Sequence, residues 1–225
     1  MSARIGVVLF PGSNCEQDAV EALRGLGVDA DLLWHGDGVL GGVDAVVVPG
    51  GFAHGDYLRP GAIARFSPVM GAVAAFAADG GPVVGICNGF QVLTEAGLLP
   101  GALQKNAGLK FLCTTTTLRV ETTNSVLTSA SAVGQELRIP INHFEGNYTC
   151  DGETLAMLQA EDRIVARYVD NPNGSVDDIA GICNEGRNVV GLMPHPERAC
   201  HELLGSTDGI TMLRSLVDAA VGARV

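Results

Sequence analysis

The chain has 225 residues, 47% of them hydrophobic, with a net charge of −11 and a sequence pI of about 4.7. This length is sufficient for one large α/β domain with a buried core. The acidic balance, together with only two lysines, argues against nucleic acid or an anionic membrane as the main partner.

Apolar runs in the sequence are too short to span a membrane. The longest, from Val69 to Ala78, has about ten residues, whereas a spanning helix needs about 18 or more. The early apolar stretch Ile5 to Phe10 continues directly into Pro-Gly and is typical of a core strand, not of a signal peptide. We therefore expect a cytoplasmic protein with no membrane span.

The six cysteines are scattered, with no pair at Cys-x-x-Cys spacing. The five histidines do not pair with each other or with cysteines at zinc-ligand intervals. The sequence thus predicts mostly buried, reduced thiols and no metal site.

The first half of the chain alternates strand and helix patterns. Ala3 to Phe10 is a nearly continuous apolar run, as in a parallel strand covered on both faces. Ser13 and Glu16 have capping-box spacing and open a predicted helix that ends at Gly27. Further strands are predicted at 28–34, 44–48 and 83–86, and further helices at 60–78 and 88–96.

The second half of the chain has a different pattern. Short extended runs predominate, and two of them flank a turn that predicts a hairpin. We therefore expect a parallel-sheet-centred α/β fold extended by antiparallel strands, organised as a single domain over residues 1–225. The predicted strands cover 114–123, 137–142, 164–169, 179–183 and 189–193, and a last helix covers 209–221.

One short motif combines a nucleophile with a tight turn. In Gly85-x-Cys87-x-Gly89, a strand runs into a helix and the cysteine stands between two glycines. This is the spacing of a nucleophile elbow, in which side chains flanking the nucleophile would clash. The helix N-terminus favours the thiolate, so Cys87 is the candidate nucleophile.

A candidate base and its orienting carboxylate follow the last predicted strand. His195 and Glu197 stand two residues apart in Met-Pro-His-Pro-Glu, where the prolines rigidify the turn. With Cys87 they form a possible triad assembled by the fold. Gly50 and Gly51, after the strand at 44–48, are candidates for an oxyanion hole because small residues let backbone N–H groups approach a ligand.

A Gly-x-Gly-x-x-Gly pattern at 36–41 lies in the wrong structural context for a dinucleotide site, because a strand and not a helix is predicted after it. There is also no Gly-x-x-x-x-Gly-Lys-Ser/Thr motif. We therefore predict no cofactor in this chain.

Taken together, these motifs resemble those of the class I, or triad-type, glutamine amidotransferases. Within that family the chain is similar to the glutaminase subunits of purine biosynthesis, and the shared motifs span nearly the whole sequence. They are Phe10 to Cys15, Gly50 to Arg59, Cys87 to Leu93, Pro140 to Gly146 and Met193 to Arg198. One position departs: Phe144 stands where the family usually has glycine.

The resemblance implies a three-layer, flavodoxin-like fold and a defined reaction. Cys87, His195 and Glu197 would hydrolyse glutamine to glutamate and ammonia, without a metal. Ammonia would serve the amidation of formylglycinamide ribonucleotide on a large, PurL-like synthetase subunit that uses ATP and magnesium, together with a small, PurS-like accessory subunit. The expected glutamine contacts are Gly50, Gly51, Asn88, Gln91, Asn142, His143 and Phe144.

Three alternatives remain open at this stage. The chain could supply ammonia to another synthetase, such as those for guanine nucleotide, cytidine nucleotide or pyridoxal phosphate. It could belong to the cysteine-elbow hydrolases and chaperones of related topology, although Asn88 stands where many of those have histidine. It could also be a catalytically silent glutamine sensor. We expect the isolated chain to be a poor glutaminase.

Overall fold

A nine-stranded sheet forms the centre of the computed structural model, which describes residues 2–223. Five neighbouring strands run parallel, in the order β2-β1-β3-β4-β11. Almost every residue of β1, β3, β4 and β11 is buried, as their β-branched runs predict for strands covered on both faces. They are β1 Arg4–Leu9, β2 Asp29–Trp34, β3 Ala45–Val48, β4 Val83–Ile86 and β11 Val189–Leu192.

Four antiparallel strands extend this sheet in the order β10-β9-β6-β7. The predicted hairpin is present as β10 and β11. A separate two-stranded ribbon, β5 with β8, pairs beside the sheet. These strands are β5 Ala102–Lys105, β6 Leu112–Val120, β7 Glu136–His143, β8 Glu145–Thr149, β9 Ile164–Tyr168 and β10 Ile179–Cys183.

Helices pack against the sheet and complete the α/β fold, which confirms the predicted class. α1 contacts β1 and β2, α3 contacts β4 and β11, and α5 contacts β3 and β7. Within residues 2–223, no helix is long and apolar enough to cross a membrane. The helices are α1 Glu16–Gly25, α2 Pro68–Ala78, α3 Asn88–Glu95, α4 Gly152–Ala160 and α5 Gly209–Gly222.

Two predicted helix starts were wrong. The helix predicted from residue 60 begins only at Pro68, because Ser67 has the extended backbone that a following proline favours. The capping box at Ser13 is also absent: its hydroxyl accepts a hydrogen bond from the N–H of Phe10, and Cys15 is the residue before α1. The segment at 36–41 is followed by β3, so the dinucleotide pattern lies in a loop as expected.

Candidate active site

Three parallel strands bring the predicted motifs together. β3, β4 and β11 are neighbours in the sheet, and their carboxyl ends therefore lie along one edge. The loop with Gly50 follows β3, Cys87 follows β4, and His195 follows β11. Ligands of open α/β sheets bind outside this edge, so the fold places the candidate residues where a site is expected.

The turn at Cys87 is a tight, strained elbow. Cys87 has φ 51° and ψ −106°, a conformation that costs free energy for a residue with a side chain. A Cβ on Gly85 would lie 2.6 Å from Leu93 Cδ1, and one on Gly89 would collide with the carbonyl of Val48. The two glycines are thus required by close backbone approach, as the motif predicts.

His195 and Glu197 form a buried hydrogen-bonded pair. His195 Nδ1 and Glu197 Oε1 are 2.6 Å apart, and both side chains are 1% exposed. Burial alone lowers the pKa of His195, but the charge of Glu197 and the neighbouring Cys87 outweigh it and raise this pKa to about 10. The imidazole is therefore a strong base held in one orientation.

Gly50 separates the nucleophile from the base. A Cβ there would lie 2.7 Å from His195 Cε1 and 3.4 Å from Cys87 Cβ. The Cys87 thiol donates a hydrogen bond to the carbonyl of Asn142, at 3.6 Å, and His195 Nε2 is buried without a hydrogen-bond partner. The base thus keeps an unused nitrogen beside the thiol.

Backbone N–H groups are available near the thiol. Gly51 has φ +126°, and a Cβ there would lie 2.5 Å from Asn14 Oδ1, so glycine is needed for this turn. Asn88 is the first residue of α3, and its N–H has no acceptor within the helix. Gly51 was a sequence candidate for the oxyanion hole and Asn88 an expected glutamine contact, and the N–H groups of both are the structural candidates for that hole.

A cavity of about 180 Å³ lies beside this cluster, a size suited to a small ligand, and His195 lines it whereas Cys87 does not. A larger surface groove, of about 830 Å³, is lined by Glu197 and Arg198 among other residues, but not by Gly51 or Asn142. We therefore take the smaller cavity as the substrate site. Its lining consists of Asn14, Cys15, Gly51, Phe52, Phe111, Asn142, His195 and Arg198.

Two predicted substrate residues make internal hydrogen bonds. The Asn88 side chain accepts from the N–H of Ala53 and donates to Asp56 Oδ1 and Gln91 Oε1. Gln91 Nε2 donates to the carbonyl of Glu145 at 2.5 Å. Both amides therefore tie the elbow to neighbouring loops, and neither lines the cavity.

The turn between β7 and β8 holds the last two predicted residues. His143 is buried with Nδ1 3.0 Å from Asn106 Oδ1, and burial together with nearby His195 lowers its pKa to about 4. Phe144 is half-buried, with Lys105 Nζ 5.8 Å from its ring centre. Neither residue lines the cavity, so a contact from either side chain to glutamine stays a prediction.

Sequence reasoning assigned no site role to five residues of the cavity wall, which are Asn14, Cys15, Phe52, Phe111 and Arg198. Arg198 Nη2 lies 3.2 Å from Cys15 Sγ, and Arg198 Nε donates to Asp18 Oδ2 at 2.8 Å. Burial raises the pKa of Cys15 to about 12, although Arg198 opposes this. Arg198 follows the His-Pro-Glu motif directly and could have been noticed there, whereas nothing in the sequence places Cys15 beside His195.

Comparison with known proteins identifies the family. Residues 2–209 match the model of the CobB/CobQ-like glutamine amidotransferase domain. The phosphoribosylformylglycinamidine synthase subunit PurQ of Rubrobacter xylanophilus is 59% identical over 96% of this chain and 99% of the relative. The PurQ subunit of Koribacter versatilis is 56% identical over 96% and 98%. This chain belongs to the PurQ family of glutamine amidotransferases.

Solved structures agree with the PurQ family assignment. A chain in the structure of PurLQS from Thermotoga maritima is 42% identical, with a TM-score of 0.90 over 97% of this chain and 99% of that chain. A putative GMP synthase protein from Thermoplasma acidophilum, at 19% identity, has a TM-score of 0.70 over 100% and 96%. The second likeness concerns the fold alone.

Proposed function

We propose that this chain is the glutaminase subunit of a phosphoribosylformylglycinamidine synthase, with Cys87 as nucleophile, His195 as base and Glu197 as its orienting carboxylate. The observation that carries the proposal is the geometry of these three residues. A buried thiol lies beside a histidine whose outer nitrogen is free and whose inner nitrogen is 2.6 Å from a carboxylate, and a small cavity lined by that histidine opens beside them.

The first half-reaction forms a thioester. The Cys87 thiol passes its proton to His195 Nε2, which forms a thiolate–imidazolium pair that the raised pKa of His195 favours at neutral pH, and the sulfur attacks the side-chain carbonyl carbon of glutamine. The resulting imidazolium donates that proton to the departing nitrogen, so ammonia leaves and a glutamyl thioester remains. Glu197 stabilises the imidazolium, in line with the raised pKa of His195.

The second half-reaction hydrolyses that thioester. Neutral His195 accepts a proton from water, the hydroxide attacks the thioester carbon, and the proton returns to the leaving sulfur. In both halves a negative oxygen develops on the substrate, and the N–H groups of Gly51 and Asn88 would stabilise it. Loss of one such donor typically lowers the rate by about 10²–10³-fold.

The neighbouring residues have supporting roles in this proposal. Asn88 and Gln91 hold the elbow through their hydrogen bonds to Asp56 and Glu145. Asn142 contributes its carbonyl, which fixes the thiol, and its position in the cavity wall. Asn106 holds His143 beneath the β7–β8 turn. His143 and Phe144 would then contact glutamine through backbone groups of that turn.

The ammonia acceptor lies outside this chain. The relatives are subunits of phosphoribosylformylglycinamidine synthase, and one structural neighbour comes from a PurLQS complex. We propose that a PurL-like subunit binds ATP, magnesium and formylglycinamide ribonucleotide, and that a PurS-like subunit completes the complex. The six free cysteines are consistent with work in the reducing cytoplasm.

Glutamate release from glutamine tests the proposal. We expect slow release by the chain alone and a large stimulation by the PurL-like and PurS-like subunits with ATP and formylglycinamide ribonucleotide. Cys87→Ala should abolish the stimulated rate and leave glutamine binding. Saturable glutamine binding with no turnover in any mixture would instead indicate a silent sensor. Cys87-dependent turnover that ignores these partners would remove the proposed acceptor.

A further inference from the structure

Arg198 follows the catalytic pair in the chain but has no part in the reaction above. Its Nε donates to Asp18 Oδ2 at 2.8 Å, and its Nη2 lies 3.2 Å from Cys15 Sγ. A guanidinium has five N–H donors, and within residues 2–223 the other three have no acceptor. The side chain is 30% exposed. Arg198 therefore has donors that a ligand in the cavity can use.

The wall of the 180 Å³ cavity contains no carboxylate among the residues that the structure describes. Besides Arg198 and His195, it consists of two asparagines, one cysteine, one glycine and two phenylalanines. Asp18 and Glu197 line the larger groove and not this cavity. The guanidinium thus lies between an acidic partner on the side of the groove and a cavity wall without a carboxylate. Such a wall suits an anionic group, and arginine is the residue best shaped to bind a carboxylate.

The proposed substrate carries such an anionic group. The α-carboxylate carbon of glutamine is four C–C bonds from its carboxamide carbon, a span of roughly 5 Å. Arg198 Nη2 is 3.2 Å from Cys15 Sγ, and that sulfur lies within 4.8 Å of a ring nitrogen of His195. The distance from base to guanidinium is therefore short enough for one glutamine molecule to reach both, with a hydrogen bond at each end.

We propose that Arg198 binds the α-carboxylate of glutamine and so selects amides that carry this group, an inference that rests on the proposed glutaminase function. Asp18 holds the guanidinium through Nε and leaves the remaining donors for the substrate. The carboxylate is remote from the reacting carbon, so this contact has the same strength in the ground state and in the transition state. Its loss therefore raises KM and leaves kcat nearly unchanged.

Hydrolysis of two amides by the reconstituted complex tests this role. One is glutamine, and the other is 4-aminobutanamide, which is glutamine without its α-carboxylate. The products, glutamate and 4-aminobutanoate, are measured by chromatography. Arg198→Met should raise KM for glutamine by about 10–100-fold, the effect of losing a hydrogen bond to a charged group, and change kcat by less than about threefold. The same variant should hydrolyse 4-aminobutanamide with the kcat/KM of the wild type.

Two further variants separate recognition from a structural role. Arg214→Met removes an exposed arginine on α5 that does not line the cavity, and it should leave both KM values unchanged. Arg198→Lys keeps the charge without the planar fork and should recover part of the affinity for glutamine. If Arg198 only packs α1 against the segment after β11, Arg198→Met should impair the hydrolysis of both amides equally.

A binding measurement does not depend on turnover. Glutamine is titrated calorimetrically into the full-length chain carrying Cys87→Ala, with and without Arg198→Met. The second substitution should raise Kd by the same factor of about 10–100. A wild type that does not hydrolyse glutamine would remove the proposed function, whereas this titration would still decide whether Arg198 binds the substrate.

Three outcomes would overturn the role of Arg198. One is an equal loss of kcat/KM for glutamine and 4-aminobutanamide in Arg198→Met. Another is an unchanged KM and Kd for glutamine in the Arg198→Met variants. The last is the absence of glutamine binding to the chain that carries Cys87→Ala alone.

Discussion

Two loops bring a cysteine close to His195, each at the N-terminus of a helix, and Cys15 lines the cavity whereas Cys87 does not. Cys87 stands in the elbow between β4 and α3, and Cys15 stands in the first loop, just before α1. Both sulfur-bearing side chains lie close to Gly50, and both residues are about 4% exposed. A helix N-terminus and a neighbouring histidine are therefore not enough to decide which thiol is the nucleophile.

The difference lies in backbone geometry and in the surroundings of each thiol. The backbone of Cys87 is in a rare positive-φ conformation between two glycines, whereas that of Cys15 is ordinary, with φ −111°. Burial raises the pKa of Cys15 to about 12, which keeps its thiol protonated at neutral pH. The strained elbow therefore favours Cys87 as the proposed nucleophile, whereas proximity to His195 alone does not separate the two thiols.

Removal of each thiol gives the largest expected contrast. Cys87→Ala should lower stimulated glutamate release by roughly 10⁴-fold or more, because no other group can form the thioester. Cys15→Ala should stay within about tenfold of the wild type, since only the packing of the cavity wall changes. Steady-state rates of the reconstituted complex provide the measurement. A larger loss in Cys15→Ala than in Cys87→Ala would reverse the assignment.

Removal of the Glu197 charge tests the role of His195, the proposed base, which lies close to both thiols. Glu197→Gln should slow turnover by about 10²–10⁴-fold. His195 is protonated below its pKa of about 10, and without the Glu197 charge the effect of burial dominates and this pKa falls. The alkaline limit of the pH–rate profile should therefore move to lower pH by about one unit or more. An unmoved limit would show that Glu197 does not set the protonation of the base.

A methyl group on Gly50 tests whether the space between thiol and base is needed. Gly50→Ala would place Cβ 2.7 Å from His195 Cε1 and should slow turnover by about 10²-fold through displacement of the base. Gly71 in α2 is the matched control, because a Cβ there meets nothing within 4 Å. Gly71→Ala should keep full activity and raise the free energy of unfolding by about 0.5–1 kcal/mol. Equal activity in the two variants would contradict the geometry.

The smallest effect is expected at Asp56, which accepts a hydrogen bond from Asn88 behind the elbow, and it concerns stability. Burial raises the pKa of Asp56 to about 6, although the hydrogen bond from Asn88 lowers it. A raised carboxyl pKa means that the charged form costs stability above pH 6, and that this cost disappears as the pH falls toward 3.8. Asp56→Asn keeps an acceptor for Asn88 and should be more stable at pH 7 by on the order of 1 kcal/mol, allowing for partial exposure.

Denaturant unfolding at several pH values measures this difference. The stability advantage of Asp56→Asn should be present at pH 7 and should vanish near pH 4. If the wild type is instead the more stable protein at pH 7, the Asp56 carboxylate stabilises the elbow and its pKa is not raised.

The parallel half of the fold was predictable because its signals are local. The buried strands β1, β3 and β4 are continuous β-branched runs, and the motifs at their ends are short. The ribbon of β5 and β8 was missed, since Ala102–Lys105 and Glu145–Thr149 are short and depend on a distant partner. α4 was missed although a signal existed: Asp151 Oδ1 accepts from the N–H of Thr154 at 2.8 Å, an ordinary N-cap.

The residues of the candidate site also fall into two groups, those that the sequence could predict and those that it could not. Cys87, His195 and Glu197 could be found because each belongs to a motif with its own geometry. The internal hydrogen bonds of Gln91 and the place of Cys15 beside His195 could not be found, because both depend on contacts between segments far apart in the chain.

Covalent labelling by a glutamine-analogue electrophile is the sharpest test of Cys87 as the nucleophile. The full-length chain is treated with a diazoketone analogue of glutamine, and all six cysteines are then followed by peptide mass spectrometry, with excess glutamine as competitor. We expect one modified residue, Cys87, whose labelling glutamine slows and Glu197→Gln weakens. Labelling of Cys15 in place of Cys87, or labelling that glutamine does not slow, would contradict the assignment.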